Sequence, residues 1–325
     1  MPKIYFHVDV NSAFLSWSAL KALQGGSTVD LRTIPAVVGG DEAKRHGVVL
    51  AKSTPAKKFG IQTGESLFAA RVKCPGLTVV PPDFDFYVKN SKALIQILND
   101  YTPDVEQYSI DEAFLDMTGT EALFGPPLTA AHTIRRRVRR ELGFTVNVGI
   151  APNRLLAKMA SDFEKPDKVH TLFPEEIPTK MWPLSVRDLL FLGKAFEKKL
   201  TEAGIRTIGD MAHVSESEIQ ALLGNKAGHQ LHQYALGIDE SPVKAKPEEA
   251  KGFSVETTFN DDIVSVEQVL PILLEQCDVV TTRMRRKGKK CTSVSVTFRT
   301  LDFKNKSHQT TLSNATDMTD EIFRN

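Results

Sequence analysis

Two short acidic stretches constrain this chain most: Ile4-Tyr5-Phe6-His7-Val8-Asp9-Val10-Asn11 at its start, and Tyr108-Ser109-Ile110-Asp111-Glu112-Ala113-Phe114 well downstream. In each, carboxylates sit at the end or edge of an apolar run. A run such as Ile4 to Val8 reads as a buried strand. A carboxylate at its end loses hydration unless something positive holds it. Asp9, Asp111 and Glu112 brought together would repel one another strongly. Divalent cations resolve that repulsion and supply chemistry as well. Taken singly, each Asp is more simply a strand-end or turn carboxylate; convergence with Glu112 is what favours a reactive site.

Composition sets few further limits. The 325 residues suffice for roughly two to four compact units with a sizeable core. With 41% hydrophobic and 25% charged residues, the chain has an ordinary globular composition. Lys and Arg (41) balance Asp and Glu (40), so overall charge names no partner. Charge placement says more, because Arg135–Arg140 and Arg283-Met284-Arg285-Arg286-Lys287-Gly288-Lys289-Lys290 are strongly basic. The three cysteines, Cys74, Cys277 and Cys291, have no metal-binding spacing and suit inert thiols in a reducing cytosol. No signal peptide is visible, and no apolar run approaches the roughly 20 residues of a membrane span. A cytoplasmic protein is expected.

Asn11 or Ser12 is placed to cap a helix in which Phe14, Trp17 and Leu20 recur at helical spacing. Residues 24–80 form a small, loop-rich section with a strand at Val48–Ala51 and a Lys-rich helix between Lys52 and Gly60. Ser91 to Asn99 is an apolar-periodic helix, and Val105 to Met117 is a hairpin with Ser109 to Glu112 near its turn. Ala130 to Leu142 is a helix whose arginines point several ways, reading as solvated surface. Thr145 to Ile150 alternates as a strand, and Asn153 to Phe163 is helical. This β-α-β-β-α-β order predicts an α+β unit with a mostly antiparallel sheet.

From about Pro183 the pattern changes to short helices joined by Gly turns, at Leu192-Gly193-Lys194 and at Leu223-Gly224-Asn225-Lys226. Such units point backbone N–H groups outward, which suits phosphate binding without base readout. Asp239 to Glu249 is rich in Pro, Lys and Glu and reads as a linker. Beyond it the pattern predicts a strand (Phe253–Thr257), a helix (Val266–Arg285), two strands (Thr292–Thr300, Ser307–Leu312) and a helix starting at Asp317. A two-layer unit with a covering helix cut short would expose apolar surface, so a truncated C-terminus is expected.

Asp9-Val10-Asn11-Ser12-Ala13-Phe14 and Ser109-Ile110-Asp111-Glu112-Ala113-Phe114 together resemble the catalytic motifs of the Y-family (translesion) DNA polymerases of bacterial type. The likeness continues through Ala56–Ile61, Asp83–Tyr87, Gly149–Lys158, Ser161–Pro166 and Gly204–Asp210. Any one of these motifs is weak; seven in the family's order are strong. The resemblance implies a multidomain right hand: palm (1–23 and 81–173), small fingers (24–80), a helical thumb with helix-hairpin-helix units (174–240), a linker (241–250) and an incomplete little finger (251–325). Ala51–Lys57 looks closer to the UmuC branch, whereas Lys165-Pro166 and the helical hairpins look like the polymerase IV branch.

By likeness, Asp9 and Asp111 would bridge two Mg²⁺ ions (Mn²⁺ able to substitute), Glu112 would hold the metal at the primer 3′ hydroxyl, and the Val10 carbonyl would bind the nucleotide-side metal. Phe14 matches the steric gate against a 2′ hydroxyl, although alone it would read as a core helix residue. Leu50 and Ala51 would roof the nascent base pair, and Lys57 and Lys165 would hold the triphosphate. Gly193, Lys194, Gly224 and Lys226 of the hairpins, with Arg283, Arg285 and Arg286, would bind DNA phosphates. This chain departs from the family at Ser53-Thr54-Pro55-Ala56-Lys57, where many relatives have Ser-Tyr-x-x-Arg, and at Ala13. It departs again at Phe191, where the hairpin usually has Gly. The implied partners of this monomer are primer-template DNA, a dNTP and a sliding clamp reached through a C-terminal peptide not visible before Asn325; no membrane is implied. The implied activity is low-fidelity, template-directed synthesis past damage, in DNA repair and the SOS response.

Rival readings fare worse. Gly39-Gly40-Asp41-Glu42 is the motif of diguanylate cyclases, but it lacks the expected hairpin, and a cyclase has no use for Gly-turn helix pairs. A binding-only paralogue would have lost an acidic ligand. A metal-dependent nuclease needs neither Phe14 nor the lysines. No phosphate loop, Ser/His/Asp order or zinc spacing appears.

Overall fold

The computed structural model describes residues 2–41, 47–245 and 249–325. Glu42 of the cyclase-like motif, Ala43-Lys44-Arg45-His46 after it, and residues 246–248 of the expected linker lie outside the described residues. Those described form two compact units, one spanning residues up to Gly40 and from Val48 through the start of the linker, the other centred on the residues after it.

The first unit begins with β1 (Tyr5–Val10), α1 (Ala13–Gln24), β2 (Ala36–Gly39), β3 (Val49–Lys52), α2 (Thr54–Lys58), α3 (Leu67–Lys73) and β4 (Thr78–Val80). It continues with α4 (Phe84–Asn99), β5 (Val105–Gln107), β6 (Glu112–Asp116), α5 (Glu121–Phe124), α6 (Pro127–Leu142), β7 (Val146–Ala151), α7 (Arg154–Asp162) and β8 (Val169–Thr171). Short helices follow: α8 (Ile177–Lys180), α9 (Lys194–Glu202), α10 (Ile208–His213), α11 (Glu216–Leu223) and α12 (Asn225–Ala235). Five strands form one sheet in the order β5-β6-β1-β7-β8, antiparallel except for the β7–β8 pair. A smaller sheet has the order β3-β2-β4.

Strand β1 is buried along its whole length because both its neighbours are sheet strands and both its faces are covered. Alternation sends Phe6, Val8 and Val10 into a core shared with Trp17, Tyr87, Leu94, Leu98, Ile134 and Phe144. Fully burying each large side chain of that core stabilises by on the order of 1.5–3 kcal/mol. The other face carries Tyr5, His7 and Asp9. Register aligns three rows there: Glu112–Asp9–Asn147, Phe114–His7–Gly149 and Asp116–Tyr5–Ala151. Helix α7 covers this more polar face, with Leu155, Leu156, Ala157 and Ala160 buried alongside Tyr5 and Ala151.

Two local expectations change. Ser12 stands at the N-cap of α1 in the left-handed region (φ 48°) and makes no side-chain cap. The Asn11 side chain is engaged elsewhere, so the helix start is secured instead by the Ser16 hydroxyl donating to the Asn11 carbonyl at 2.6 Å. Helix α4 also starts a full turn and more before Ser91, capped by Asp83, whose carboxylate accepts from the Phe86 N–H at 3.0 Å.

The second unit contains α13 (Val266–Arg286), β9 (Cys291–Arg299), β10 (Asn305–Thr316) and α14 (Thr319–Arg324). Strands β9 and β10 pair antiparallel. Phe253–Thr257 does not form the expected strand. Its alternation finds no ladder among the described residues, and the Ser254 carbonyl instead accepts from Arg283 Nη1 at 2.9 Å. Among the described residues no helix is long and apolar enough to cross a membrane.

Candidate active site

Asp9, only 8% exposed, ends the polar face of β1, directly across from Glu112 at the start of β6. Asp111 precedes Glu112 in a turn built by Ser109. The Ser109 hydroxyl accepts from the N–H groups of Asp111 (3.3 Å) and Glu112 (3.1 Å), and donates to Asp111 Oδ1 at 2.7 Å. The Val10 N–H donates to the Asp111 carbonyl at 3.0 Å, which ties the turn to β1.

The cations nearest these carboxylates are lysines. Lys165 Nζ donates to Asp9 Oδ1 at 2.8 Å and lies 2.8 Å from Asp162 Oδ1. Lys158 Nζ donates to Glu112 Oε1 at 2.5 Å. Burial pushes Asp9 up to about 7, helped by the charges of Glu112 and Asp162 and opposed by Lys165. Burial lowers the Lys165 ammonium, but Asp9 and Asp162 outweigh it and leave a net upward shift. Burial, with Lys158, Lys165 and Arg154 adding to it, drives His7 well below the usual imidazole range, so the ring is neutral. Its Nε2 is 3.9 Å from Glu112 Oε1 and has no hydrogen-bond partner.

The donor set is of the hard-oxygen type that divalent Mg²⁺ prefers, and burial is the main reason that the Asp9 carboxyl is raised. In donor chemistry the residues fit a divalent cation. Among the described residues, however, no three acidic, imidazole or thiol side chains form a group that could hold a metal ion as they stand; Asp9 and Glu112 pair with Lys165 and Lys158 instead.

The loop carrying Lys165 is fixed by two buried amides. Asn11 Oδ1 accepts from Thr145 Oγ1 and from the Asp167 N–H, both at 2.9 Å, and Asn11 Nδ2 donates to Asn147 Oδ1 at 3.1 Å. Asn147 Nδ2 donates to the Ser161 and Glu164 carbonyls at 2.9 and 2.7 Å, while its Oδ1 also accepts from the Lys168 N–H at 3.1 Å. Arg135 and Arg139 reach Asp167 from α6, so part of the arginine run is a brace rather than idle surface.

Phe14, on the first turn of α1, stacks on Tyr87 (ring centroids 4.7 Å, 11° apart) and meets Phe84 edge-on at 5.9 Å. The Tyr87 hydroxyl in turn pairs with Ser18 Oγ at 2.6 Å. Leu50 and Ala51, on β3, are half-buried against the same small apolar cluster that Phe14 touches. Lys57 lies in the last turn of α2 and is exposed.

In the helical segment, Gly193 stands at the N-cap of α9 with Lys194 following. Gly224 (φ 90°) closes α11 and opens α12, whose second residue is Lys226. Phe191 takes φ 66°, in the left-handed region that ordinarily favours glycine. In the second unit, Arg283, Arg285 and Arg286 are exposed on the last turns of α13. Arg285 donates to the Asp317 carbonyl at 2.9 Å.

Sequence reasoning assigned no part to Lys158, Ser109, His7, Asn147 or Asn11 beyond a cap. For Lys158 a signal existed: it lies one helical turn after Arg154, which pairs with Glu106 on β5 at 2.8 Å, so the two cations project from one helix face.

Residues 8–162 match the impB/mucB/samB family, and residues 250–325 match its C-terminal domain. Residues 187–239 match the thumb domain described for DNA polymerase iota. DNA polymerase IV of Clostridium acetobutylicum is 49% identical over 99% of this chain and 81% of that protein. DNA polymerase IV 1 of Bacillus subtilis is 34% identical over 99% of this chain and 76% of that protein. A solved Y-family DNA polymerase chimera superposes with a TM-score of 0.85 at 22% identity, over 99% of this chain and 91% of that one. With its α+β sheet, its helical segment and relatives matched along nearly its whole length, the chain belongs to the impB/mucB/samB family of Y-family DNA polymerases, alongside the bacterial DNA polymerase IV proteins.

Proposed function

We propose that this chain adds deoxynucleotides to a primer 3′ end under the direction of a template strand, with low fidelity and with bypass of damaged template. The observation that carries the reading is the cross-strand pairing of Asp9 with Glu112, with Lys165 on the Asp9 carboxylate. Asp9, Asp111, Glu112 and the Val10 carbonyl would hold divalent cations, two Mg²⁺ ions on this reading. When bound, such ions make a 3′ hydroxyl a better nucleophile and offset charge on the leaving pyrophosphate.

The chain's own residues do the rest. Lys165 reaches Asp9 and Asp162 from a loop held by amides, so its ammonium is placed to pass from carboxylate to triphosphate oxygens. Lys57 supplies a second, solvated cation. The Phe14 ring, stacked on Tyr87, offers a fixed wall against which a 2′ hydroxyl would collide. Gly193, Lys194, Gly224 and Lys226 would grip backbone phosphates without base readout, and Arg283, Arg285 and Arg286 would add salt-sensitive contacts. A monomer in the cytoplasm, a sliding clamp as partner and a place in the SOS response complete the reading by resemblance.

The test is primer extension on an undamaged template with Mg²⁺ and four dNTPs, comparing the parent with D111A/E112A. Extension by the parent that vanishes in the double variant supports the reading. A parent that binds primer-template but never extends it, or a double variant that extends normally, refutes it.

A further inference from the structure

We infer that Lys158 is a positioning residue: its ammonium holds the Glu112 carboxylate until a divalent cation takes its place, and so sets how readily Glu112 accepts one. This rests on the proposed reading of Glu112 as a metal ligand.

Lys158 Nζ lies 2.5 Å from Glu112 Oε1, with the two side chains 13% and 18% exposed. The ammonium also lies 5.6 Å from the centroid of the Tyr108 ring. No other cation serves Glu112 among the described residues. His7 is the only other basic group against it, and hydrogen bonding already commits the His7 proton elsewhere. The Ser161 hydroxyl donates to the Lys158 carbonyl at 2.8 Å, so Ser161 Oγ can only accept from His7 Nδ1, also at 2.8 Å. The imidazole proton therefore resides on Nδ1. Nε2 faces Glu112 as a buried, unpartnered lone pair that brings no positive charge.

Among the described residues Glu112 is the carboxylate that Lys158 pairs with, while Glu106 on β5 is served by Arg154 at 2.8 Å. The Lys158 ammonium is thus the counter-charge of one carboxylate, in a half-buried place where water screens it poorly. A divalent cation at Glu112 and the ammonium repel each other, so binding of one and release of the other are linked. A merely structural ion pair would predict only lost stability on removing Lys158. The linked pair predicts a gain in metal affinity.

The experiment measures Mn²⁺ binding to the full chain, without DNA or nucleotide, from the electron paramagnetic resonance signal of free Mn²⁺. Parent, K158Q, K158M, K158R, E112Q and K158Q/E112Q are compared, each checked for a cooperative melt. K158Q and K158M should bind Mn²⁺ tighter by on the order of fivefold. K158R, which keeps the charge, should return to the parental value, and K158Q/E112Q should lose the gain. Affinity in both K158Q and K158M equal to or weaker than the parent's, with E112Q weakened, overturns the inference alone. Unchanged binding in E112Q removes Glu112 as a ligand, and the inference falls with that reading.

Discussion

Gly149 of β7 lies against the carbonyl of Ala157 on α7 so closely that a methyl group at Gly149 would come within 1.9 Å of the Ala157 oxygen and 2.6 Å of the Ser161 nitrogen. This contact sets the height of α7 above the face that carries His7, Asp9 and Glu112. Gly149→Ala must lift the helix, which costs about 1–3 kcal/mol or more and draws Lys158 and Ser161 away from Glu112 and His7. Chemical denaturation reads the stability loss. A variant as stable as the parent would show that the helix yields without cost.

Tyr87 supports the Phe14 ring. Tyr87→Ala removes a wholly buried aromatic, with an expected loss of about 3–5 kcal/mol, and it frees Phe14 to tilt. Incorporation of ribonucleotides relative to deoxynucleotides should then rise although Phe14 itself is intact. Tyr87→Phe keeps the stack and strands only the Ser18 hydroxyl, at about 1–3 kcal/mol; its sugar selection should match the parent's. Equal selection in Tyr87→Ala and the parent would argue against a supported gate.

Asp9 gives a pH signature in the metal-free protein. Its carboxyl is raised to about 7 in the fold from an ordinary value of 3.8, so the folded chain binds the proton more tightly than the unfolded chain. Keeping Asp9 ionised therefore opposes folding, fully above pH 7 and progressively less as the pH falls towards 4. In buffer with chelator, Asp9→Asn should be more stable than the parent at pH 8, and its advantage should fade between about pH 7 and pH 4. Melts at a series of pH values check this, and an Asn variant less stable than the parent at pH 8 contradicts it.

The sequence made much of this site legible, for physical reasons. An apolar run ending in Asp must bury that Asp, and strand alternation together with the order of motifs placed Asp9 and Glu112 near one another. Which residue lies opposite which is a matter of register, and a single strand does not announce its register. The row Glu112–Asp9–Asn147 therefore appears only in the fold. Gly149 could have been found, since a glycine inside a strand signals close approach of another backbone. Phe253–Thr257 misled because alternation describes a surface, not a partner. Lys158 was half legible: its spacing from Arg154 puts both cations on one helix face, but only the tertiary fold brings its ammonium to Glu112.

Asn11 is a further point of test. Asn11→Ala leaves the Thr145 hydroxyl, the Asp167 N–H and one Asn147 contact without their partner, at a cost of at least about 2 kcal/mol. Because Lys165 sits in the segment these groups hold, the Michaelis constant for dNTP should rise more than the turnover number falls. A variant that loses stability but keeps the parental Michaelis constant would separate the amide network from nucleotide binding.

The interlocked amides of Asn11 and Asn147 make the 164–168 segment an extension of the sheet rather than a swinging loop. Its conformational entropy is surrendered once, when the chain folds, and is not charged again each time a nucleotide arrives. Weak grip elsewhere then becomes tolerable. On the proposed reading, a site that offers only an exposed Lys57 would still hold a triphosphate, because Lys165 is already in place.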